Sequence, residues 1–243
     1  MDKMVYLSNS GAKAAMARQE VLANNLANVS TVGFRAELHA FRSVPVQGDA
    51  AVTRAFALES TVGYNDAPGV LQQTGRSLDV ASPGKAWFAV QSLDGTEAYT
   101  RAGAMELNAE GVLTLRNGLS VQGEGGPITI PPNAQVQIAS DGTVSASAPN
   151  TPPAIVGKLK LVEPQAALVR GTDGLFRTAN GQELPASETA KVQSGALEGS
   201  NVSPVETMVA MIAAARQFEQ QMKTLQNAEK QEQSASKLLS PSA

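Results

Sequence analysis

The sequence predicts an α+β protein: long N- and C-terminal helices pairing as a coiled coil, with an inserted mainly-β domain. Three observations carry this prediction. Residues 1–29 place apolar side chains along one helical face. Residues 203–239 repeat apolar side chains at the spacing of a coiled-coil seam. Between these ends, turn dipeptides recur among short runs of strand-forming residues.

The N-terminal element reads as an amphipathic helix. On a helical wheel Met4, Leu7, Ala14, Ala15, Val21, Leu22 and Val29 share one face, and Asp2, Asn9, Lys13, Glu20 and Asn24 lie opposite. Arg18 falls on the apolar side. Alanine makes up much of that face, which buries little area per residue and lets a partner helix approach closely. The helix is expected to fail by Ser30-Thr31-Val32-Gly33, where β-branched residues and a glycine follow Asn28. The N-terminal core helix is therefore assigned to residues 1–34.

Residues 35–75 hold no helical period. Pro45, Gly48, Gly63, Pro68 and Gly69 interrupt short apolar runs, and the segment is read as irregular and extended.

Residues 76–200 read as a β-rich domain. Asp94-Gly95, Glu110-Gly111, Asn117-Gly118, Asp141-Gly142, Asp173-Gly174 and Asn180-Gly181 are turn signals. Strand-like runs between them are Ala86–Gln91, Val112–Leu115, Gln135–Ile138 and Lys158–Val162. Gln135-Val136-Gln137-Ile138 alternates polar and apolar, as a half-buried strand does. Ala148–Pro153 reads as a loop.

The last element, within residues 201–243, is a second helix. Ser203-Pro204-Val205-Glu206 offers a serine N-cap, a proline at the first helical position and a glutamate two residues further, a capping box. Met208, Met211, Ala215, Phe218, Met222 and Leu225 follow at spacings of 3, 4, 3, 4 and 3. That is the heptad seam. Both helices carry an apolar stripe that needs burial. The simplest solution pairs them with each other and with neighbouring chains. Alone, alanine-rich helices with open seams are marginal, so assembly is expected to order them.

Composition removes most chemistries. The chain has 243 residues, 19 Lys+Arg against 22 Asp+Glu, no cysteine and one histidine, His39. Cysteine-based zinc, iron–sulfur and thiolate chemistry are excluded, and one histidine leaves little for a catalytic triad. Nearly balanced charge argues against nucleic acid as a partner. No cofactor, metal site or small-molecule substrate is expected. The N-terminus lacks the apolar run of a cleaved Sec-type signal, and no stretch of about 18 apolar residues exists to span a membrane.

Three segments then point to a family. Ala23–Arg35, with its Asn24, Asn25, Leu26 and Asn28, resembles the N-terminal signature of bacterial flagellar rod and hook proteins. Gly195–Val202, running into Pro204–Ile212, resembles the matching C-terminal signature, and Ala215–Glu219 fits its Arg-aromatic-Glu stretch. Leu78–Ala81, Trp87-Phe88 and Tyr99–Gly103 resemble the start of that family's β-domain. Val44–Gly48 and Gly123–Ile128 resemble the proximal-rod members, as does Pro83–Phe88, where distal-rod members carry Gly-Gln-Gly-Phe-Phe.

The resemblance implies a structural subunit of the basal-body rod, not an enzyme. In such proteins terminal helices form the core of a tube that crosses the periplasm and transmits motor torque to the hook. Implied partners are other proximal and distal rod proteins, copies of the same chain, and the flagellar type III export apparatus, which takes subunits without a cleaved signal. The assembly interface is placed on Leu7, Leu22, Asn24, Asn25, Leu26, Asn28, Phe34, Met208, Met211, Ile212, Ala215, Phe218, Met222 and Leu225. Three alternatives stand beside this reading: a distal-rod subunit, a secreted hydrolase acting on wall polymer through acidic residues, and a regulatory or adaptor coiled-coil protein of the cytosol.

Other motifs have plainer readings. Asn28-Val29-Ser30 and Asn201-Val202-Ser203 match a glycosylation sequon by chance, Gly123–Gly126 is a turn and not a phosphate loop, and Asp79 and Asp141 serve turns or caps. Trp87 is expected to anchor the β-domain core.

Overall fold

The computed structural model describes residues 3–45, 55–148 and 151–239. Val46-Gln47-Gly48 and the side chain of Met4 lie outside the described residues. The chain divides into two compact units: a helical unit of residues 1–29, 36–65 and 202–243, and a β-unit of residues 30–35 and 66–201.

In the helical unit α1 (Lys3–Ala27) packs against α2 (Pro204–Leu239). On α1 the covered positions are Ser8, Ala12, Ala15 and Asn25, with Leu7, Leu22 and Leu26 half-buried. Arg18 is exposed, so the inward face is turned away from the predicted one, toward Ser8 and Ala12. On α2 Thr207 and Ala214 are covered, and Met211, Ala215, Phe218, Met222 and Leu225 are half-buried. Met208 is 50% exposed, which corrects the predicted seam at its first position. The physical reason is side-chain size. Alanine and glycine on the inward faces leave room for side chains of the partner helix, and a Cβ added at Gly11 would stand 3.0 Å from Gln221 Cδ.

The ends of the helices follow local chemistry. After Ala27 the Asn28 amide bonds back to the Asn24 carbonyl at 3.2 Å, and Gly33 takes a left-handed φ of 70°. At the start of α2 the Thr207 amide and hydroxyl reach the Ser203 carbonyl at 3.0 and 2.8 Å. Among the described residues the bonds at Ser203 run through this carbonyl, in place of the predicted side-chain capping box.

The segment expected to be irregular holds two long antiparallel strands, β1 (Glu37–Pro45) and β2 (Ala55–Tyr64). Glu37 stands opposite Tyr64 and Pro45 opposite Ala55, with a register shift between His39 and Phe41. The shift breaks the two-residue alternation, and no tight-turn dipeptide joins the strands. Both strand signals are thereby hidden in the sequence.

After the short strands β3 (Leu71–Gln73) and β4 (Val80–Ala81), the β-unit is built on β5 (Trp87–Gln91), which pairs with β6 (Glu97–Thr100) on one side. On its other side β5 pairs with Ser120–Gly123 and with Leu161–Val162. Gln135–Ile138, Thr143–Ser147 and Ala154–Lys158 form a separate antiparallel sheet. The predicted run Lys158–Val162 is split between these two sheets. Val80, Phe88, Val90, Ala98, Met105 and Leu113 are fully buried in a continuous core. Each large side chain there contributes about 1.5–3 kcal/mol of transfer free energy.

All six predicted turn glycines have positive φ, from 69° at Gly181 to 84° at Gly118. Each donates its amide three residues back, as Gly95 does to Ser92 at 3.0 Å and Gly142 to Ala139 at 3.0 Å. A glycine in this place closes a type I turn with a bulge, which needs no Cβ.

Candidate functional site

The Asn-rich end of α1 is used within its own unit. Glu37 N donates to Asn25 Oδ1 at 2.8 Å, and Asn25 Nδ2 donates to the Glu37 carbonyl at 3.0 Å. The side-chain amide thereby acts as a strand partner for the first residue of β1, and Asn25 is 6% exposed. Asn24 Nδ2 reaches Glu37 Oε2 at 3.0 Å, and Asn28 Nδ2 caps the Asn24 carbonyl at 2.9 Å. Asn24 and Asn28 retain exposed surface, whereas Asn25 does not.

Phe34 corrects a further expectation. It is buried in the β-unit, with the Arg170 guanidinium 4.6 Å from its ring centre. Its neighbours in sequence place it there. Gly33 passes so close to another segment that an added Cβ would lie 2.3 Å from Ala102 N. A ring covered by its own chain is removed from the outward-facing set.

What faces outward is a stripe on α2. Val205 is 70% exposed, Met208 50%, Val209 62% and Ile212 56%. Spacings of three and four put them on one helical face. On α1 Tyr6 and Met16 are also exposed, at 58% and 48%. Large apolar side chains in a contiguous row are the mark of an interaction surface. The heptad pattern on α2 passed over Val205 and Val209, and Tyr6 and Met16 lie off the apolar face read on α1.

A second feature went unread in the sequence. Glu198 is buried in the β-unit, and Arg35 Nη2 lies 2.7 Å from its Oε1. Arg101 Nε lies 3.5 Å from Oε2. The three side chains are 0%, 2% and 1% exposed for Arg35, Arg101 and Glu198. Arg101 also donates to the carbonyls of Ser82, Gly84 and Ala86, and its guanidinium lies 5.5 Å from the Trp87 ring centre. Arg35 Nε and Nη1 have no hydrogen-bond acceptor among the described residues. Removing one partner of such a buried pair costs about 3–5 kcal/mol, because it strands a charge.

The signal for this cluster was present. Arg35, Arg101 and Glu198 each sit inside one of the three family-like segments, next to glycine or small residues. In a chain with only 17% charged residues, a charge at such a place is the residue to question.

The acids considered for catalysis are engaged locally. Asp79 Oδ1 pairs with Arg76 at 3.3 Å, and Asp141 accepts from the Thr143 amide at 3.0 Å and hydroxyl at 2.8 Å. Those bonds hold Asp141 below the usual carboxylate range. A cleft of about 520 Å³ is lined by Gln91, Glu97, Gln122, Lys160 and Glu183. Within it Glu97 is held by Lys160 at 2.7 Å and Tyr99 at 2.8 Å. Burial raises the Tyr99 hydroxyl well above its ordinary pKa.

Apolar rows left outward on the helices, beside a β-unit in which Asp79, Glu97 and Glu198 are paired internally, are the marks of a structural protein made for assembly. Comparison with known proteins gives the family. Residues 6–35 match the flagella basal body rod protein model. Residues 81–146 match the D1 domain of flagellar hook protein FlgE/F/G, and residues 193–238 the C-terminal model of flagellar basal body rod FlgEFG protein. Over 252 residues, covering all of both chains, the sequence is 47% identical to the flagellar basal-body rod protein FlgF of Salmonella typhimurium. It is 45% identical to that of Escherichia coli over the same span. It is 32% identical to the flagellar basal-body rod protein FlgG of Bacillus subtilis over 250 residues, 93% of this chain and 94% of that one. The chain belongs to the flagellar basal-body rod protein family, on the side of its proximal-rod members.

Proposed function

We propose that this basal-body rod subunit pairs its terminal helices as a coiled coil and stacks them, with copies of itself and other rod proteins, into the axial drive shaft. The shaft crosses the periplasm and carries motor torque to the hook. Subunits leave the cell through the flagellar type III apparatus without a cleaved signal. The single observation that carries the assembly reading is the exposed row Val205, Met208, Val209 and Ile212 on α2.

Burial of that row by a neighbour, at roughly 25 cal/mol per Å² of apolar surface, offsets part of the cost of association. Leu7, Leu22, Leu26, Met211, Ala215, Phe218, Met222 and Leu225 are half-buried. In this reading they complete their burial on assembly, beside the exposed Met208 and Ile212 and the partly exposed amides of Asn24 and Asn28. In this reading the subunit is structural, and Asp79, Asp141 and Glu97 serve turns and ion pairs.

The test is Met208→Asp and Ile212→Asp in cells. Each leaves the purified chain folded, since a surface substitution shifts stability by only about 0.5 kcal/mol. Each is expected to abolish recovery of the subunit in isolated basal bodies. Normal incorporation of both variants would sink the proposed surface.

A further inference from the structure

The chain passes between its two units at four places, after residues 29, 35, 65 and 201. The β-unit segments at these places are 30–35, 66–69 and 198–201. Segments 30–35 and 66–69 each bond to 198–201, and Glu198 is at the centre. Its Oε1 lies 2.7 Å from Arg35 Nη2 and accepts from the Gly69 amide at 2.9 Å. Its backbone carbonyl accepts from the Gly33 amide at 2.7 Å.

Two further bonds close the set. Asn201 donates its amide to the Phe34 carbonyl at 3.3 Å and its side-chain Nδ2 to the Ala67 carbonyl at 2.8 Å. The backbones are also in tight contact: a Cβ on Gly69 would lie 2.0 Å from the Gly199 oxygen. Arg101 then fixes the carboxylate to the loop that precedes β5, through its bonds to Ser82, Gly84 and Ala86.

We infer that Glu198 is a positioning residue that binds every segment by which the chain enters and leaves the β-unit into one stiff block. These segments are the covalent path between the units, so load passed along the chain from one to the other crosses them. Four separate strands of chain would each twist about their own backbone dihedrals. Cross-linked by a buried carboxylate, they move together. Two arginines against one carboxylate leave the cluster with a surplus positive charge. The block therefore depends on Glu198 in a way that it does not depend on either arginine. The mechanical role rests on the reading of the chain as a rod subunit, whereas the stiffness of the block does not.

The two are tested separately. Amide hydrogen exchange on the purified full chain reads the block, through Gly33 and Gly69. In Glu198→Gln the Gly69 amide, which donates to the carboxylate, is expected to exchange about tenfold to a hundredfold faster, the loss that goes with a hydrogen bond to a charged group, and the Gly33 amide, which donates to the backbone carbonyl of the same residue, is expected to exchange faster as the segment loosens. Val90 and Ala98, in the strand pair β5–β6, are expected to stay as protected as in the parent chain. Arg35→Lys keeps the charge and shortens the reach, and should give a smaller rise at the same two amides. It serves in place of Glu198→Gln if that variant does not fold. Unchanged exchange at Gly33 and Gly69 overturns the inference. An equal rise at Val90 and Ala98 also overturns it, because the cluster would then serve overall stability alone.

In cells, Glu198→Gln rods that assemble should turn normally at low load and fail in viscous medium. Equal motility in both media overturns the mechanical role. Failure to enter basal bodies would overturn it too, since Glu198 would then act on assembly, and the Met208→Asp and Ile212→Asp result separates that outcome from a fault in the rod reading.

Discussion

The helical unit and the β-unit bury their surfaces in opposite ways. In the β-unit large side chains such as Trp87, Phe88 and Met105 are no more than 1% exposed, and even Arg35, Arg101 and Glu198 are closed off from water. Among the described residues of the helical unit the fully covered apolar side chains are mostly alanines, Ala12, Ala15 and Ala214, and the larger Met208, Val209 and Ile212 face outward. One unit completes its core within the chain. The other leaves a row of its larger apolar side chains exposed. A low aromatic content of 4% is therefore no sign of a weak core. Five of the ten aromatics, Phe34, Trp87, Phe88, Tyr99 and Phe176, are buried in the β-unit.

The contrast can be broken most severely in the β-unit. Phe88→Ala removes a fully buried ring and is expected to cost about 3–5 kcal/mol. Trp87 is the one tryptophan in the sequence, so its fluorescence reports the β-unit alone. Its urea midpoint should fall sharply while far-ultraviolet circular dichroism keeps most of its helical signal. Joint loss of both signals at one midpoint would show that the units do not unfold separately.

A smaller effect is expected from Ala15→Leu on the covered face of α1. Overpacking there should cost about 1–3 kcal/mol. It should lower the thermal midpoint of the helical signal and leave the Trp87 transition in place. No change in helical stability would mean that the alanine face is not closely packed.

The smallest effect is electrostatic and lies in the β-unit. The hydrogen bond from Arg177, at 2.7 Å from Nη2 to Oδ2, holds Asp173 below its usual value of 3.8. A carboxyl whose pKa is lower in the folded chain stabilises the fold above its unfolded value. That contribution is lost as pH falls through the lower, folded value. Asp173→Asn should therefore remove a small part of the acid sensitivity below about pH 4 and be nearly silent at neutral pH. Acid titration of Trp87 fluorescence measures it, and an unchanged acid limb would refute the assignment.

Much of this architecture was legible in the residues. Six glycines after Asp, Asn or Glu marked six turns, because only a residue without a Cβ closes a bulged type I turn cheaply. Helix α2 starts at Pro204 and α1 ends at Ala27, near the predicted limits. The β1–β2 pair was not legible, since its bulge and its long connection remove the local signals. The helix faces were half legible. Period alone marked Met211, Phe218 and Leu225 on the half-buried side, yet it also chose Met208, which points outward.

Sequence by itself determined the local properties: where helices run, where turns close, and which chemistries the chain lacks. These follow from backbone sterics and side-chain type within a few residues. Tertiary structure alone decided which helix face turns inward, because that depends on how closely two backbones can approach. It also decided that Arg35, Arg101 and Glu198 meet. The bond between Arg35 and Glu198 joins residues far apart in the chain, and no local preference encodes it. A buried charge is tolerated only where the whole fold brings its counter-charge to it.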